Sequence, residues 1–143
     1  MARYSVSQRT SSGTIATAAW EIRSTSTNKP RIVEVGVSQN AATASVFGLG
    51  RPQAIGITPT SPVTFLDEFD GGGPVGLTTC AVAWTTGPTV PLNFFRRVSL
   101  EATIGRGIIW TFPLGLGIPV SGSIVIWCIA ASAVADVWAV VDE

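Results

Sequence analysis

Short apolar runs, rather than long amphipathic ones, dominate this sequence. Val, Ile, Thr, Trp and Phe recur in segments of a few residues, separated by 15 glycines and 9 prolines. No window repeats apolar residues at the 3.6-residue period of an amphipathic helix with start and stop signals. β-Branched and aromatic runs bounded by turn residues are typical of strands. The chain is therefore predicted to be all-β.

Several of the predicted strands alternate in polarity, as half-buried strands do. Trp20 and Ile22 are expected on one face of their strand, and Glu21 and Arg23 on the other. The ten predicted strands are 3–7, 18–24, 31–38, 44–48, 63–66, 77–84, 94–100, 108–112, 123–130 and 136–141.

Eight to ten short strands joined by Gly and Pro turns indicate a sandwich or a barrel. Long loops alternate with short turns, as Greek-key crossings require, and 143 residues suit an eight-stranded double sheet. The prediction is one domain, 1–143, with a jelly-roll-like antiparallel β-sandwich. The run 124–129 is apolar on both faces, so its strand is expected inside the sandwich under an outer cover, for example a partner.

The stretch 123–141 is about as long as a membrane-spanning helix. It is rich in β-branched residues, contains Asp136 and has no basic flank, so two buried strands are predicted instead. The first residues contain no apolar run of about 7 residues, so no secretory signal is expected. Cys80 and Cys128 are expected to pack as buried thiols, with a disulfide or redox role left open.

The chain has few charges. Charged residues make up 13% of the sequence, against roughly 25% in typical soluble domains. So poorly solvated a surface is expected to be partly covered by neighbouring subunits. The formal net charge is zero, Lys29 is the single lysine, and Arg96–Arg97 is the one adjacent cationic pair. Because nucleic-acid binding depends on clustered cations, direct binding to nucleic acid is not expected.

The sequence has no histidine, so it lacks the commonest general base and cannot assemble a Ser-His-Asp site. Asp67, Glu68 and Asp70 form a carboxylate cluster that is more typical of a solvated loop than of a calcium or magnesium site. No catalytic residue, metal or cofactor is predicted, and the chain is not expected to be an enzyme.

Aromatic and arginine side chains each allow two interpretations. The five tryptophans are expected to pack in the core rather than form a platform for sugars. Arg96 and Arg97 should point to opposite faces of one strand. Either one is solvated while the other reaches out from the core edge, or the pair contacts a carboxylate of another subunit.

Several segments resemble a family of small virion proteins of tailed bacteriophages: Ala18-Ala19-Trp20-Glu21-Ile22-Arg23, Ala44-Ser45-Val46-Phe47-Gly48-Leu49-Gly50-Arg51-Pro52, Pro59-Thr60-Ser61-Pro62-Val63, Phe94-Phe95-Arg96-Arg97-Val98, Ile108-Ile109-Trp110-Thr111-Phe112-Pro113 and Asp136-Val137-Trp138-Ala139-Val140-Val141-Asp142-Glu143. The resemblance implies a jelly-roll cement, or decoration, protein. Such a protein clamps the major capsid protein on the head exterior of the virion, after synthesis in the bacterial cytoplasm. It also implies a homodimer or a homotrimer.

Loops at the ends of a sandwich are natural contact elements. The segments 1–9, 50–62, 67–76 and 84–92 are therefore expected to carry contacts with other subunits. An alternative function for the same fold is a carbohydrate- or receptor-binding module of a virion tail or fibre. The predicted interface residues are Arg3, Tyr4, Arg51, Pro52, Pro59, Pro62, Asp67, Glu68, Phe69, Asp70, Pro88, Pro91, Arg96 and Arg97.

Overall fold

Thirteen strands and no helix are found in the computed structural model, which describes residues 2–11, 16–69 and 75–143. Eight strands are long and five are short. The strands are β1 (Arg3–Arg9), β2 (Thr17–Arg23), β3 (Arg31–Gln39), β4 (Ser45–Pro52), β5 (Ile57–Pro59), β6 (Val63–Thr64), β7 (Leu66–Asp67), β8 (Thr79–Ala81), β9 (Trp84–Thr86), β10 (Pro91–Leu100), β11 (Gly107–Gly117), β12 (Ser123–Cys128) and β13 (Ala135–Asp142).

The long strands pair in a nested order. β1 pairs with β13, β2 with β12, β3 with β11 and β4 with β10, all antiparallel. One sheet has the order β11-β3-β13-β1-β7, the other has β10-β4-β12-β2-β8-β6, and β5 and β9 form a separate ribbon. A nested hairpin wrapped around two sheets is a jelly roll. The predicted all-β jelly-roll sandwich is therefore confirmed.

The core lies between the two sheets and follows the predicted alternation. Trp20 and Ile22 point inward from β2 and are fully buried, as are Val35 and Val37 on β3. The stretch 123–141, predicted as two buried strands, forms β12 and β13. β12 is buried on both faces, whereas β13 alternates between buried and half-buried residues. The described residues include no helix long and apolar enough for a membrane span.

Residues 53–90 are inserted between β4 and β10 and are called the excursion below. Pro52 and Pro91 are paired, so the excursion leaves and returns at one point. It adds β8 and β6 to the β2 side of one sheet and β7 to the β1 side of the other. Between β6 and β7 the chain crosses from sheet to sheet, and the buried side chain of Phe65 fills the crossing.

The excursion accounts for three differences from the predicted strands. The predicted strand 63–66 is two strands in different sheets, because Phe65 turns into the core between them. The predicted strand 77–84 likewise divides into β8 and the start of β9. No strand was predicted in the segment 50–62, but it contains β5, which pairs with β9.

The outer face of β12 is buried, as predicted, but other parts of the same chain contribute its cover. Val125 and Trp127 point away from the core and are buried. On the neighbouring strand β4, a Cβ atom at Gly48 would come within 2.5 Å of the Phe94 ring, so glycine allows that ring to lie across the sheet. An external partner is therefore not needed to bury this face.

Both cysteines are free and buried, in agreement with the prediction. Burial raises the pKa of the Cys80 thiol to about 12, and burial also raises the pKa of Cys128. Protonated buried thiols are poor nucleophiles and poor metal ligands. These two side chains therefore act as small apolar groups of the core.

Two cross-strand ion pairs join β1 to β13. Arg3 donates to both carboxylate oxygens of Asp142, at 2.8 and 3.2 Å, and Arg9 does the same for Asp136, at 2.7 and 3.0 Å. Hydrogen bonds from these guanidinium groups, and then their charge, lower the pKa of both carboxyls from the ordinary value.

Replacing Asp142 by Asn should lower the unfolding temperature near pH 7, and the difference from the unsubstituted protein should vanish once the pH is low enough to protonate Asp142 in the folded protein. A carboxyl with a lowered folded pKa stabilises the fold above its unfolded pKa of about 3.9, and this contribution is lost as the pH falls through the folded pKa. Circular dichroism melting curves of both proteins across this range measure the effect. A difference that stays constant with pH would contradict it.

Candidate interaction surface

A buried carboxylate fixes the excursion to the sandwich. Glu21 lies on the outer face of β2 and is fully buried. Its oxygens accept hydrogen bonds from the Gly56 amide at 3.0 Å, the Trp84 indole at 2.7 Å and the Ser123 hydroxyl at 2.7 Å. Gly56 and Trp84 lie near the two ends of the excursion, so one side chain holds both ends against the sheet.

Arg23 completes this cluster. Its guanidinium lies 3.7 Å from the Glu21 carboxylate and donates to the Gly56 carbonyl at 2.7 Å. The negative charge of Glu21 therefore has a cation and three donors, which is what a buried carboxylate requires. Glu21 and Arg23 were predicted to share an exposed face of β2, and the excursion instead covers that face.

Replacing Glu21 by Ala should destabilise the protein by about 3–5 kcal/mol, because Arg23 and three donors would lose their acceptor. Trp84→Phe removes one hydrogen bond to the charged group and should cost about 1.5–3 kcal/mol. Glu21→Gln keeps the shape and should lie between them. Urea unfolding measures all three free energies. If Glu21→Ala costs no more than Trp84→Phe, the carboxylate is not the centre of this attachment.

The chain's cations divide into two groups. Four of the nine (Arg3, Arg9, Arg23 and Arg106) form ion pairs with Asp142, Asp136, Glu21 and Glu101. Among the described residues, no carboxylate lies within 4.0 Å of the other five: Lys29, Arg31, Arg51, Arg96 and Arg97.

The five unpaired cations lie at or beside the edge of the sandwich formed by β10 and β11, which is called the basic edge below. Arg96 and Arg97 are on β10, and Arg51 is on its neighbour β4. Lys29, Arg31 and Arg51 line one depression with 117–119. All five side chains are exposed.

Arg96 and Arg97 point to opposite faces, as predicted. Arg96 is opposite the core residue Leu49 in the sheet, and its guanidinium lies 5.5 Å from the centre of the Phe112 ring on β11. Arg97 is opposite Gly48 and lies 5.7 Å from the centre of the Phe94 ring. Arg96 thus reaches out from the core side at the mouth of the sandwich.

A second depression on the basic edge adjoins the first at Arg51. It measures about 360 Å³ and is lined by residues 51–53 and 92–95. The guanidinium of Arg51 lies 5.0 Å from the centre of the Phe95 ring, and Leu92 is 78% exposed. The wall is therefore apolar, with a cation held flat against it.

The opposite edge of the sandwich, formed by β6 and β7, is acidic and is called the acidic edge below. Asp67 and Glu68 lie there, and Glu143 approaches it by accepting hydrogen bonds from the amides of Leu77 and Thr78. The amide of Phe69 donates to the Asp67 carboxylate at 2.8 Å. This turn presents the Phe69 ring, which is 76% exposed.

Exposed apolar side chains follow the same division. Among the described residues, those on the acidic edge or next to it are Val63, Leu66, Phe69, Val75 and Leu77. Those on the basic edge or in the connections next to it are Val90, Leu92, Ile104, Ile109, Leu114 and Val120. Ile57, on the separate ribbon of β5 and β9, is also exposed and lies on neither edge. Leu114 is 89% exposed, because an irregular stretch of β11 between Thr111 and Leu116 projects it from the sheet.

The predicted interface residues are distributed over the basic edge, the acidic edge, the excursion and the core. Arg51, Pro52, Arg96 and Arg97 lie on the basic edge, and Asp67, Glu68 and Phe69 on the acidic edge. Pro59 and Pro62 lie in the excursion, the first half-buried and the second exposed. Asp70 is outside the described residues.

Four predicted interface residues are engaged within the chain itself. Tyr4 is only 7% exposed and packs in the core, and Pro88 and Pro91 are also buried. Arg3 is paired with Asp142. The segment 1–9 was expected to carry contacts, and β1 lies between β13 and β7 at Tyr4 and Ser5. Both sides of the strand are therefore occupied there by strands of the same chain.

Leu92 ends the segment 84–92 that was expected to carry contacts, whereas Leu114, Lys29 and Arg31 were not predicted as residues of this surface. Leu114 lies beyond the predicted strand 108–112, and only the longer β11 places it at the sheet edge. Lys29 and Arg31 join Arg51 through the fold, because β3 lies next to β11.

The described part of this surface carries no cysteine side chain and no cluster of metal ligands. Within the described ranges, no three His, Cys, Asp or Glu side chains come together to hold a metal ion.

Three of the five tryptophans, Trp20, Trp110 and Trp127, are buried as predicted. Trp84 and Trp138 are half-buried, and their indole groups donate to Glu21 and Glu34.

No protein-family model, curated protein or solved structure matches the chain. The resemblance to phage virion proteins therefore stays a prediction, and the surface is interpreted from its own residues.

Proposed function

We propose that this chain is a structural assembly subunit, a cement or decoration protein that binds the outer surface of a tailed-bacteriophage head and stabilises the major capsid protein lattice. The observation that carries the proposal is the concentration of most exposed apolar side chains at two opposite edges, with lysine and arginine side chains at one edge and carboxylates at the other. Concentrated exposed apolar surface is typical of interaction sites.

Stabilisation by such a subunit is additive over copies. Apolar area buried against a neighbour contributes roughly 25 cal/mol per Å² before the cost of association. A rigid jelly roll loses little conformational freedom when it docks, because its strands are already fixed. The cement role needs no chemical step, so it requires no catalytic residue.

Purified protein added to tailed-phage heads assembled without it should bind in a fixed number per head and raise the temperature at which the heads release DNA. Cryo-electron microscopy gives the occupancy, and dye access to released DNA gives the temperature. A Leu92→Ser and Leu114→Ser double variant, which removes two exposed side chains of the basic edge, should bind more weakly. Absence of binding and of thermal protection by the unsubstituted protein would contradict the proposal.

One observation supports a second candidate, a carbohydrate-binding module. The Trp138 indole lies against the backbone of Gly36, where a Cβ atom would come within 2.0 Å of the ring. It donates to Glu34 at 2.9 Å and lines a shallow depression with Ser5, Ser7 and Glu68. A half-exposed flat ring beside polar groups is a surface on which a sugar can stack.

Trp138→Ala separates the two candidates. If the sugar platform is the functional site, this variant should lose glycan binding on an array of bacterial surface glycans while keeping its fold. If the cement role is correct, the unsubstituted protein should bind no glycan, and Trp138→Ala should still protect heads. Trp138→Phe, which keeps a flat ring at this position and removes only the indole donor to Glu34, is the matched control.

A further inference from the structure

We infer that the acidic edge of one copy binds the basic edge of a second copy, so that the chain assembles head to tail. Phe69 and Glu68 of one protomer would dock into the depression of the next that is lined by Arg51, Leu92 and 93–95. This inference rests on the proposed assembly role, because it assigns a partner to the same two edges.

The opposite charges of the two edges favour a second copy of the chain as the binding partner of each edge. The basic edge carries Arg51, Arg96 and Arg97 with no carboxylate within 4.0 Å among the described residues. The acidic edge carries Glu68 and Glu143, and neither forms an ion pair at that distance within the same part of the chain. Each edge thus offers the charge that the other needs.

The two edges also match in shape. Phe69 projects from a turn held by the Asp67 carboxylate, and Leu66 is exposed beside it. The depression opposite has apolar walls from Leu92, Phe94 and Phe95 and about 360 Å³ of space. An aromatic side chain seated in an apolar pocket with charged groups at its rim is the usual arrangement of a binding hot spot.

The contact must join unlike edges. In a two-fold symmetric contact the same patch meets itself, so the basic edge would face a second basic edge, or the acidic edge a second acidic edge. Like charges at close range oppose such a contact. A head-to-tail contact pairs opposite charges and uses both edges of every copy, so it can continue beyond two chains into a ring or a row.

Two double variants test this inference, each altering one edge. Leu92→Ser with Arg97→Glu alters the basic edge, and Phe69→Ser with Glu68→Lys alters the acidic edge. These side chains are exposed and none of them donates or accepts a hydrogen bond within the described structure. Arg97 lies over the Phe94 ring and Glu68 acts on Arg3 only through its charge, so each variant should remain folded with at most a small decrease in unfolding temperature. Ala131→Glu and Ala131→Lys, in the exposed connection between the central strands β12 and β13, are the matched charge controls.

Size-exclusion chromatography with light scattering should give an oligomer for the parent and for both controls, and a monomer for each double variant. An equimolar mixture of the two double variants should give a complex of two chains and no larger species, because each retains one intact edge. High salt should weaken the parent oligomer.

Three results would overturn the inference: a monomeric parent, an edge variant that associates as the parent does, or a mixture that stays monomeric. An edge variant that still forms a dimer would point to a two-fold contact instead. Head-to-tail oligomers that fail to protect phage heads would contradict the cement role alone. Protection by a monomeric parent would contradict the head-to-tail contact alone.

Discussion

The buried carboxylate of Glu21 is the interaction on which the functional surface depends. It holds Gly56 and Trp84, near opposite ends of the excursion, against the outer face of β2. The excursion then supplies β6, β7 and β8, which form the whole acidic side of the sandwich. Pairing of β7 with β1 and of β8 with β2, and the buried side chain of Phe65, act together with this attachment to position the edge that carries Glu68 and Phe69. A buried charge is costly, and here it fixes the position of a long insertion.

The nested pairing of the long strands determines where the two edges are. Because β4 pairs with β10 and β3 with β11, the longest strands of the chain end both sheets on one side. Long edge strands are normally protected against association by charges and irregular backbone. The basic edge has both, with Arg96 and Arg97 on β10 and the irregular stretch before Leu116 on β11. Such features favour a side-chain-mediated contact over continuous strand addition.

The sequence was sufficient for the long strands and the jelly roll, because polarity alternation and turn residues are local signals. Trp20 and Ile22 could be assigned to the core from spacing alone. The excursion could not be predicted in the same way, because the partners of Glu21 lie 35, 63 and 102 residues away in sequence. Tyr4 was placed at an interface for its position near the terminus, but it lies with Val6 on the inner face of β1 and is buried in the core. Leu92 fell in a segment expected to carry contacts, whereas Leu114 lay outside every predicted strand, and its exposure depends on the irregular stretch of β11.

The formal net charge of zero does not reveal that the charges are separated between the two edges. Arg3, Arg9, Arg23 and Arg106 cancel four carboxylates locally, so they contribute almost nothing at a distance. The remaining cations gather on one edge, while Asp67, Glu68 and Glu143 lie at the other. Because salt screens exposed charges beyond about 8–10 Å, this separation acts mainly when two surfaces are nearly in contact. Exposed leucine and phenylalanine side chains then determine how strongly the edges bind, and the charges determine which edge can meet which.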